Sequence, residues 1–312
     1  MEKQLIIDSH SHLWLKQDTT WNGMPIRTLD NGRSLFLGEE VQMLPPFMID
    51  GRNSAEVFLS NMDYAQVAAA VVVQEFIDGL QNDYLAFVGR TWPGRFFVYG
   101  MPDWLHDGFQ KQAESLLDEG FHGLAIPGHR LLGRSLSSPS MMKVFSQMEQ
   151  RGAFLSITLA DGMKQVEELG AVIREFPGLR IAIGHLGMAE PPVSPPWENP
   201  AWRKQVMLAG NQNVMLESGG ITWLYNNEFY PFPSAVRAIR EAASLVGWDK
   251  LMWGSDYPRT ITAITYRMSY DFISKSPELT DVEKRMFLGE NACRFYGFHD
   301  LPELPYIKNM SE

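Results

Sequence analysis

The sequence predicts an α/β fold, a single (β/α)8 TIM barrel with enlarged βα loops and a C-terminal helix, and three observations carry that expectation. Eight short β-rich runs recur along the 312 residues, helical periodicity fills most of the intervals, and several runs are apolar on both faces. Alternation of this kind calls for parallel strands joined by crossover helices. Runs such as Val71-Val72-Val73 and Ile181-Ala182-Ile183 suit strands buried between a lumen and a helical coat. A doubly wound open sheet is the alternative arrangement of the same units.

Taken in order, Leu5–Asp8 is the first strand, and it leads directly into His10-Ser11-His12. The stretch from Leu13 to Asn53, rich in Gly, Pro and charge, exceeds a minimal barrel loop and is expected to lie over the strand end it follows. Helical periodicity over Ser54–Tyr64 precedes the strand Ala68–Val73, and Asp83–Thr91 precedes Arg95–Tyr99. In the same way Phe109–Glu119 precedes Gly123–Ile126, Pro139–Arg151 precedes Ala153–Leu159, and Met163–Phe176 precedes Arg180–Gly184. Pro191, Pro192, Pro195, Pro196 and Pro200 disfavour a long helix in the sixth crossover, before Val214–Glu217. An aromatic loop, Gly219 to Pro233, follows with Trp223, Tyr225, Phe229, Tyr230 and Phe232. Then come a helix over Ser234–Val246 and the eighth strand, Leu251–Gly254. Thr280-Asp281-Val282-Glu283 reads as the capping box of a final helix.

Composition narrows the function. One domain spanning 1–312 is expected, because a barrel with enlarged loops occupies this length. Hydrophobic residues at 45% and charged residues at 21% describe a chain with a sizeable core rather than a disordered one. A net charge of −10, without any Lys/Arg block, argues against nucleic acid as a partner. The single cysteine, Cys293, allows no intrachain disulfide and no multi-cysteine metal site, and it reads as a small hydrophobe in a reducing compartment. Leu5–Ile7 is far shorter than the core of a secretory signal, and Val67–Val73 is too short to span a bilayer. A cytoplasmic protein acting on a small molecule is expected, with no membrane partner and a homo-oligomer left open.

Chemistry gathers where apolar strands end. Side chains two apart on a strand point the same way, so His10 and His12 can meet one ligand. His185 follows Ile181–Gly184, Asp256 follows Leu251–Ser255, and Glu217 closes Val214–Leu216. Any one of these is equally well a surface turn or a satisfied core partner. Three imidazoles and a carboxylate at the same kind of position would be a costly coincidence. Arg130 and His129 after the fourth strand, and Arg259 after Asp256, are candidate contacts for a substrate carboxylate or hydroxyl; a structural ion pair is the competing account of Arg130. His106, His122 and His299 read as surface or locally bonded histidines. Trp14, Trp21, Trp223 and Tyr225 suit either a sugar face or the core. No nucleophile elbow is present, Gly187-Met188-Ala189-Glu190 included.

Three motifs carry a family resemblance. Ile7-Asp8-Ser9-His10-Ser11-His12, Ile183-Gly184-His185-Leu186-Gly187 and Met252-Trp253-Gly254-Ser255-Asp256-Tyr257-Pro258 resemble signatures of the amidohydrolase superfamily, nearest to its amidohydrolase-related branch. That branch holds relatives of aminocarboxymuconate-semialdehyde decarboxylase and a group of sugar-lactone and muconolactone-type hydrolases. Val72-Val73-Gln74, Asn82-Asp83-Tyr84-Leu85, Pro93-Gly94-Arg95-Phe96 and Asn291-Ala292 are similar to the lactonase group. The resemblance spans nearly the whole chain. It implies a divalent metal, zinc by expectation, bound by His10 and His12 and approached by Asp256, with His185 as the catalytic or ligating histidine of the sixth strand. Asp256 would accept the proton of an activated water, and His185 would polarise the carbonyl or protonate the leaving oxygen.

The chain departs from the branch in its fifth strand. Phe154-Leu155-Ser156-Ile157-Thr158-Leu159-Ala160-Asp161 has no histidine where metal-dependent members usually carry a ligand. Glu75, Glu217 or His185 would then complete a metal's shell. In a metal-poor site Asp256 would instead be a general base for free water, with the three imidazoles stabilising the oxyanion. The expectation is a hydrolase that opens the lactone of a small sugar acid or carboxylated acid. The alternatives are a metal-dependent non-oxidative decarboxylase of an aromatic or muconate-type acid, and a catalytically silent barrel that binds a sugar acid.

Overall fold

The computed structural model describes residues 4–160, 162–188 and 195–310. Among them are twelve strands: β1 (Ile7–Ser11), β2 (Asp18–Trp21), β3 (Met24–Thr28), β4 (Arg33–Phe36), β5 (Glu39–Gln42), β6 (Ala69–Val72), β7 (Phe96–Val98), β8 (Gly123–Pro127), β9 (Phe154–Thr158), β10 (Arg180–Ile183), β11 (Val214–Glu217) and β12 (Leu251–Met252). Eight of these pair in parallel as two runs, β1-β6-β7 and β8-β9-β10-β11-β12. Two seams join the runs into a ring. At one, Gly100 just past β7 donates to the Gly123 carbonyl (3.0 Å) and accepts from the Ala125 N–H (2.9 Å). At the other, β1 is stitched to the chain beyond β12 by Ser9 N–H to Trp253 O (2.9 Å), Asp256 N–H to His10 O (2.9 Å) and His12 N–H to Tyr257 O (2.7 Å). The parallel strands therefore close into a barrel in sequence order, and the open sheet is set aside.

The pleat sorts side chains between two cores. Along β6, Ala69 and Val71 fill the lumen with Ile7, Phe97, Ala125 and Met215. Their neighbours Ala70 and Val72 face the helices. Each large aliphatic side chain removed from water this way contributes about 1.5–3 kcal/mol. Tyr296, from the helix Asn291–Tyr296, plugs the barrel floor and stacks on Phe154 (ring centroids 5.6 Å apart). Cys293 lies there half-buried, its thiol held up by burial.

β1 breaks the alternation. Ile6 faces the helices and Ile7 the lumen, so an unbroken pleat would turn His10 and His12 outward. The register runs Ile7 to Ala69, Asp8 to Ala70 and then Ser11 to Val72, three steps on β1 against two on β6. One extra residue inverts the parity, as a β-bulge does, and returns both imidazoles to the lumen mouth.

Helices Ala55–Ala65, Asn82–Thr91, Phe109–Asp118, Pro139–Gln150, Lys164–Glu175 and Pro233–Val246 each begin and end within a residue of the expected bounds. In the sixth crossover the helix is short, Pro200–Met207, and starts where Asn199 Oδ1 accepts the Ala201 N–H (2.9 Å). Pro191 and Pro192, like Asp161, lie outside the described residues. Near the C-terminus the Thr280/Glu283 capping box forms and opens the helix Asp281–Arg285. No helix among the described residues is long and apolar enough to cross a membrane.

The segment after β1 is more ordered than the loop expected there. Trp14 and Asn53 exchange backbone hydrogen bonds (3.0 and 2.9 Å) and form a neck. Beyond it β2 to β5 make an antiparallel sheet in sequence order. Its hairpins turn at Asn22-Gly23, Asn31-Gly32 and Leu37-Gly38, every one of these residues at positive φ. Asn-Gly pairs suit such turns because both central residues must adopt left-handed backbone.

Candidate active site

At the C-terminal mouth of the barrel His10 and His12 are both buried, and each is held from behind by a carboxylate. His10 Nδ1–H donates to Glu217 Oε1 at 2.6 Å and His12 Nδ1–H donates to Asp78 Oδ2 at 2.7 Å. These partners fix the tautomers, so each Nε2 presents a lone pair toward the lumen axis. The two Nε2 atoms stand 3.1 Å apart. Asp256 Oδ1 lies 3.5 Å from the first and 3.2 Å from the second.

Two lone pairs at that separation repel unless something positive lies between them. Burial opposes charge on both rings, but Glu217 and Asp78, together with Asp256, outweigh it and raise both imidazoles above their ordinary pKa. Burial likewise pushes Asp256 upward, yet the His12 hydrogen bond and the charge of the imidazoles hold its carboxyl well below the usual range. The site is built to concentrate positive charge in front of an ionised carboxylate.

A divalent cation fits that arrangement. The triangle of His10 Nε2, His12 Nε2 and Asp256 Oδ1 has edges of 3.1, 3.2 and 3.5 Å. Ligands about a tetrahedral zinc, with bonds near 2.0 Å, are about 3.3 Å apart. His185, its ring centroid 4.7 Å from that of His10, also brings a ligand atom within 4.8 Å of those of His10 and Asp256. Of the groups that could complete a metal's shell, His185 is the one that stands beside His10 and Asp256. Glu217 stands behind His10, and Glu75 is paired with Arg130, so neither completes the shell.

Local backbone explains how strand ends deliver these groups. A Cβ on Gly184 would fall 2.7 Å from Thr158 Oγ1 and 2.9 Å from Glu217 Oε1, so only glycine lets β10 end there. His185 then turns left-handed (φ 55) and donates Nδ1–H to Gly219 O at 2.7 Å. Burial, with the His10 charge beside it, lowers its pKa and keeps it neutral, with Nε2 free to accept. Asp256 is left-handed too (φ 57). Such backbone costs about 1–2 kcal/mol per non-glycine residue, and the surroundings must hold it in place. Asp8 does much of this holding: its carboxylate accepts the Ser255 N–H (2.8 Å), the Tyr266 hydroxyl (2.8 Å) and the His10 N–H (3.1 Å).

A cavity of about 470 Å³ opens over the centre, within the range of small-molecule sites. Phe36, Val41 and Met43 reach into it from the inserted sheet, Ser156 and Thr158 from β9, and Trp14 and Trp223 from the loops. Arg130 lines it, but its charge is met by Glu75, and its guanidinium lies over the rings of Trp21 (5.5 Å) and Phe36 (5.2 Å). His129 Nε2 lies 3.7 Å from the same Glu75 carboxylate. Arg259 stacks on Trp223, 3.5 Å above the ring, and no ion pair to it forms among the described residues. Trp21 therefore braces Arg130, and Tyr225 is core at 1% exposure, so neither offers a face to a sugar. His106, His122 and His299 are exposed and away from the cavity.

A family model described as amidohydrolase matches residues 7–298. The chain belongs to the amidohydrolase family. Among curated proteins it is similar to an uncharacterized protein of Sinorhizobium fredii, 28% identical over 164 residues, 51% of this chain and 52% of the relative. The alignment thus spans about half the length of that relative. Among solved structures this amidohydrolase is similar to a "probable 2-pyrone-4,6-dicarboxylic acid hydrolase" of Acinetobacter baumannii with citric acid bound, at 19% identity and TM-score 0.71, covering 94% of this chain and 99% of the other. It is also similar to an amidohydrolase of Burkholderia multivorans with bound zinc (17% identity, TM-score 0.67, 96% and 100% covered). A third similar structure is 5-carboxyvanillate decarboxylase of Novosphingobium aromaticivorans complexed with manganese (18% identity, TM-score 0.59, 81% and 83% covered). At these identities the likeness speaks for the barrel fold.

Two features of this amidohydrolase site escape a sequence reading built on strand ends. Asp78 sits past the end of β6 in the short turn Phe76–Asp78, where its signal is only the spacing Glu75-x-x-Asp78 of a capping box, and the Glu75 N–H indeed donates to it (2.9 Å). Trp223 shows itself in the sequence as one aromatic among five in its loop, yet its indole N–H donates to Asp256 Oδ2 at 2.5 Å.

Proposed function

We propose that the chain opens the lactone of a small sugar acid or carboxylated acid by attack of water at the carbonyl carbon. The observation that carries this reading is geometric: in one cavity Asp256 Oδ1 stands 3.2 and 3.5 Å from the His12 and His10 Nε2 atoms, with the His185 imidazole beside them. A carboxylate that can accept a proton from water, imidazoles that can hold a cation and an imidazole that can pass a proton are what ester hydrolysis needs.

His10, His12 and Asp256 would hold a divalent metal, with His185 left beside them to exchange a proton, and zinc is the proposed ion because the spacing of the three suits it. When bound, such a metal lowers the pKa of a water toward about 7 and polarises a carbonyl oxygen. In the reaction, water oxygen adds to the carbonyl carbon and its proton passes to Asp256. The ring C–O bond breaks, and the leaving oxygen takes a proton back from the Asp256 and His185 pair. Arg259, the cation at the cavity wall without an ionic partner among the described residues, would meet a carboxylate on the substrate. His129 and Arg130, which also line the cavity, are proposed as further substrate contacts, with Arg130 acting through a side chain already balanced by Glu75. Likeness to a protein named for a pyrone substrate, a cyclic ester, supports the reading. A cytoplasmic setting and a small molecule as the main partner complete it.

The test is a proton-release screen of the zinc-loaded protein over sugar lactones and carboxylated lactones. Asp256→Asn is expected to abolish turnover of the preferred lactone while circular dichroism is unchanged. Hydrolysis by that variant at the parent rate would show that Asp256 is not the base. A second reading, metal-dependent decarboxylation, is favoured by the likeness to 5-carboxyvanillate decarboxylase. Carbon dioxide released from aromatic or muconate-type acids, with no lactone consumed, would select it.

A further inference from the structure

We infer that Trp223 is a positioning residue for Asp256: its indole N–H holds one carboxylate oxygen so that the other stays aimed at the imidazole pair. The inference rests on the reading of Asp256 as the base. Indole Nε1 lies 2.5 Å from Asp256 Oδ2. The opposite oxygen, Oδ1, is the one 3.2 Å from His12 Nε2 and 3.5 Å from His10 Nε2. Asp256 lies on left-handed backbone beyond a two-residue strand, and with Oδ1 against the imidazoles a fixed N–H at Oδ2 sets the rotation of the carboxylate from its other side.

The chain clears space for this contact. Gly220 is left-handed (φ +67), and a Cβ built on it would fall 1.8 Å from Trp223 Nε1. No other residue at 220 leaves the indole where it is. The preceding Gly219 donates its N–H to Glu217 Oε2 (2.5 Å) and accepts from His185 Nδ1 (2.7 Å). A Cβ there would meet Glu217 Oε2 at 2.7 Å and His10 Cγ at 2.8 Å. One short run after β11 thus sets Glu217, His185 and, through Trp223, Asp256. Arg259 rests on the ring 3.5 Å away, a contact that needs the aromatic face but not the N–H.

Those two parts of the side chain can be separated. Trp223→Phe keeps a face for Arg259 and removes the donor, so kcat should fall roughly 10- to 100-fold, the effect of one hydrogen bond to a charged group, with KM within about twofold. Gly220→Ala should cause the same loss by displacing the indole. The double variant should be no worse than the poorer single one, because both break one contact. A readout independent of substrate and metal is the indole N–H signal in a proton–nitrogen correlation spectrum. The signal lost in Trp223→Phe should move in Asp256→Asn, while those of the other tryptophans stay. A Trp223 signal indifferent to Asp256→Asn in folded protein, or losses that add in the double variant, would overturn the inference. A protein that shows the shift yet turns over no lactone would instead refute the proposed reaction and leave this contact standing.

Discussion

Asp78 holds His12 from 66 residues away, and its carboxylate is buried, with no hydrogen-bond partner for Oδ1 among the described residues. Burial raises its pKa, while the His12 imidazole pulls it down, so the pair is stable only as a unit. Asp78→Asn keeps the shape but loses the charge that makes His12 a strong donor to a cation. Metal affinity should fall about 10- to 100-fold, measured by competition with a chromophoric chelator, and Glu217→Gln should do the same through His10. Affinity unchanged in both variants would mean that the cation is not held by the imidazole pair. His10, His12, His185 and Asp256 are legible in the sequence because each ends an apolar run, where a polar residue stands out. Asp78 was not, because it lies in an irregular turn among Glu75, Phe76 and Ile77, where an acid is unremarkable. Trp223 stands out in the sequence for its ring, whereas its contact with Asp256 is made through the indole N–H.

Among the elements, the inserted sheet β2 to β5 is the one that the barrel does without. Its neck at Trp14 and Asn53 is closed by backbone hydrogen bonds, and Asn53 Nδ2 also donates to His12 O (2.6 Å). Replacing 18–42 with a short Gly/Ser linker should leave cooperative unfolding intact, since loop length changes closure entropy only slowly. KM should rise at least about tenfold, because the cavity loses Phe36, Val41 and Met43 and Arg130 loses its two rings. A KM unaltered in that variant would remove the sheet from the substrate site. The sheet was readable only as a covering loop because its strands are short and half-exposed, with little period-two contrast. At the end of β10, Gly184→Ala should cost about 1–3 kcal/mol by overpacking, seen as a lower urea midpoint at unchanged slope.

For the whole molecule, the ring of parallel strands was legible down to helix bounds within one residue, because burial on both faces and 3.6-residue periodicity are properties of local sequence. Closure is expected from eight strand–helix units, whereas the seams that make it, at Gly100 and at Ser9 to Tyr257, rest on backbone atoms that carry no residue signature. A cation bridging β1 and the loop after β12 spans one seam. Zinc at 100 times its dissociation constant should therefore add about 2.7 kcal/mol, raising Tm by several degrees, and a chelator should reverse the gain. A Tm indifferent to zinc would refute a cation at this seam. The bulge in β1 has a hereditary meaning as well. Because three residues there match two on β6, the facing of the imidazoles depends on how many residues precede them, not only on which ones. Loss of one residue between Asp8 and His10 leaves a regular strand with both imidazoles still inward. Gain of one with the bulge retained exports them to the helical coat. A shift in segment length against a fixed bulge would thus silence the centre while both histidines remain in the sequence.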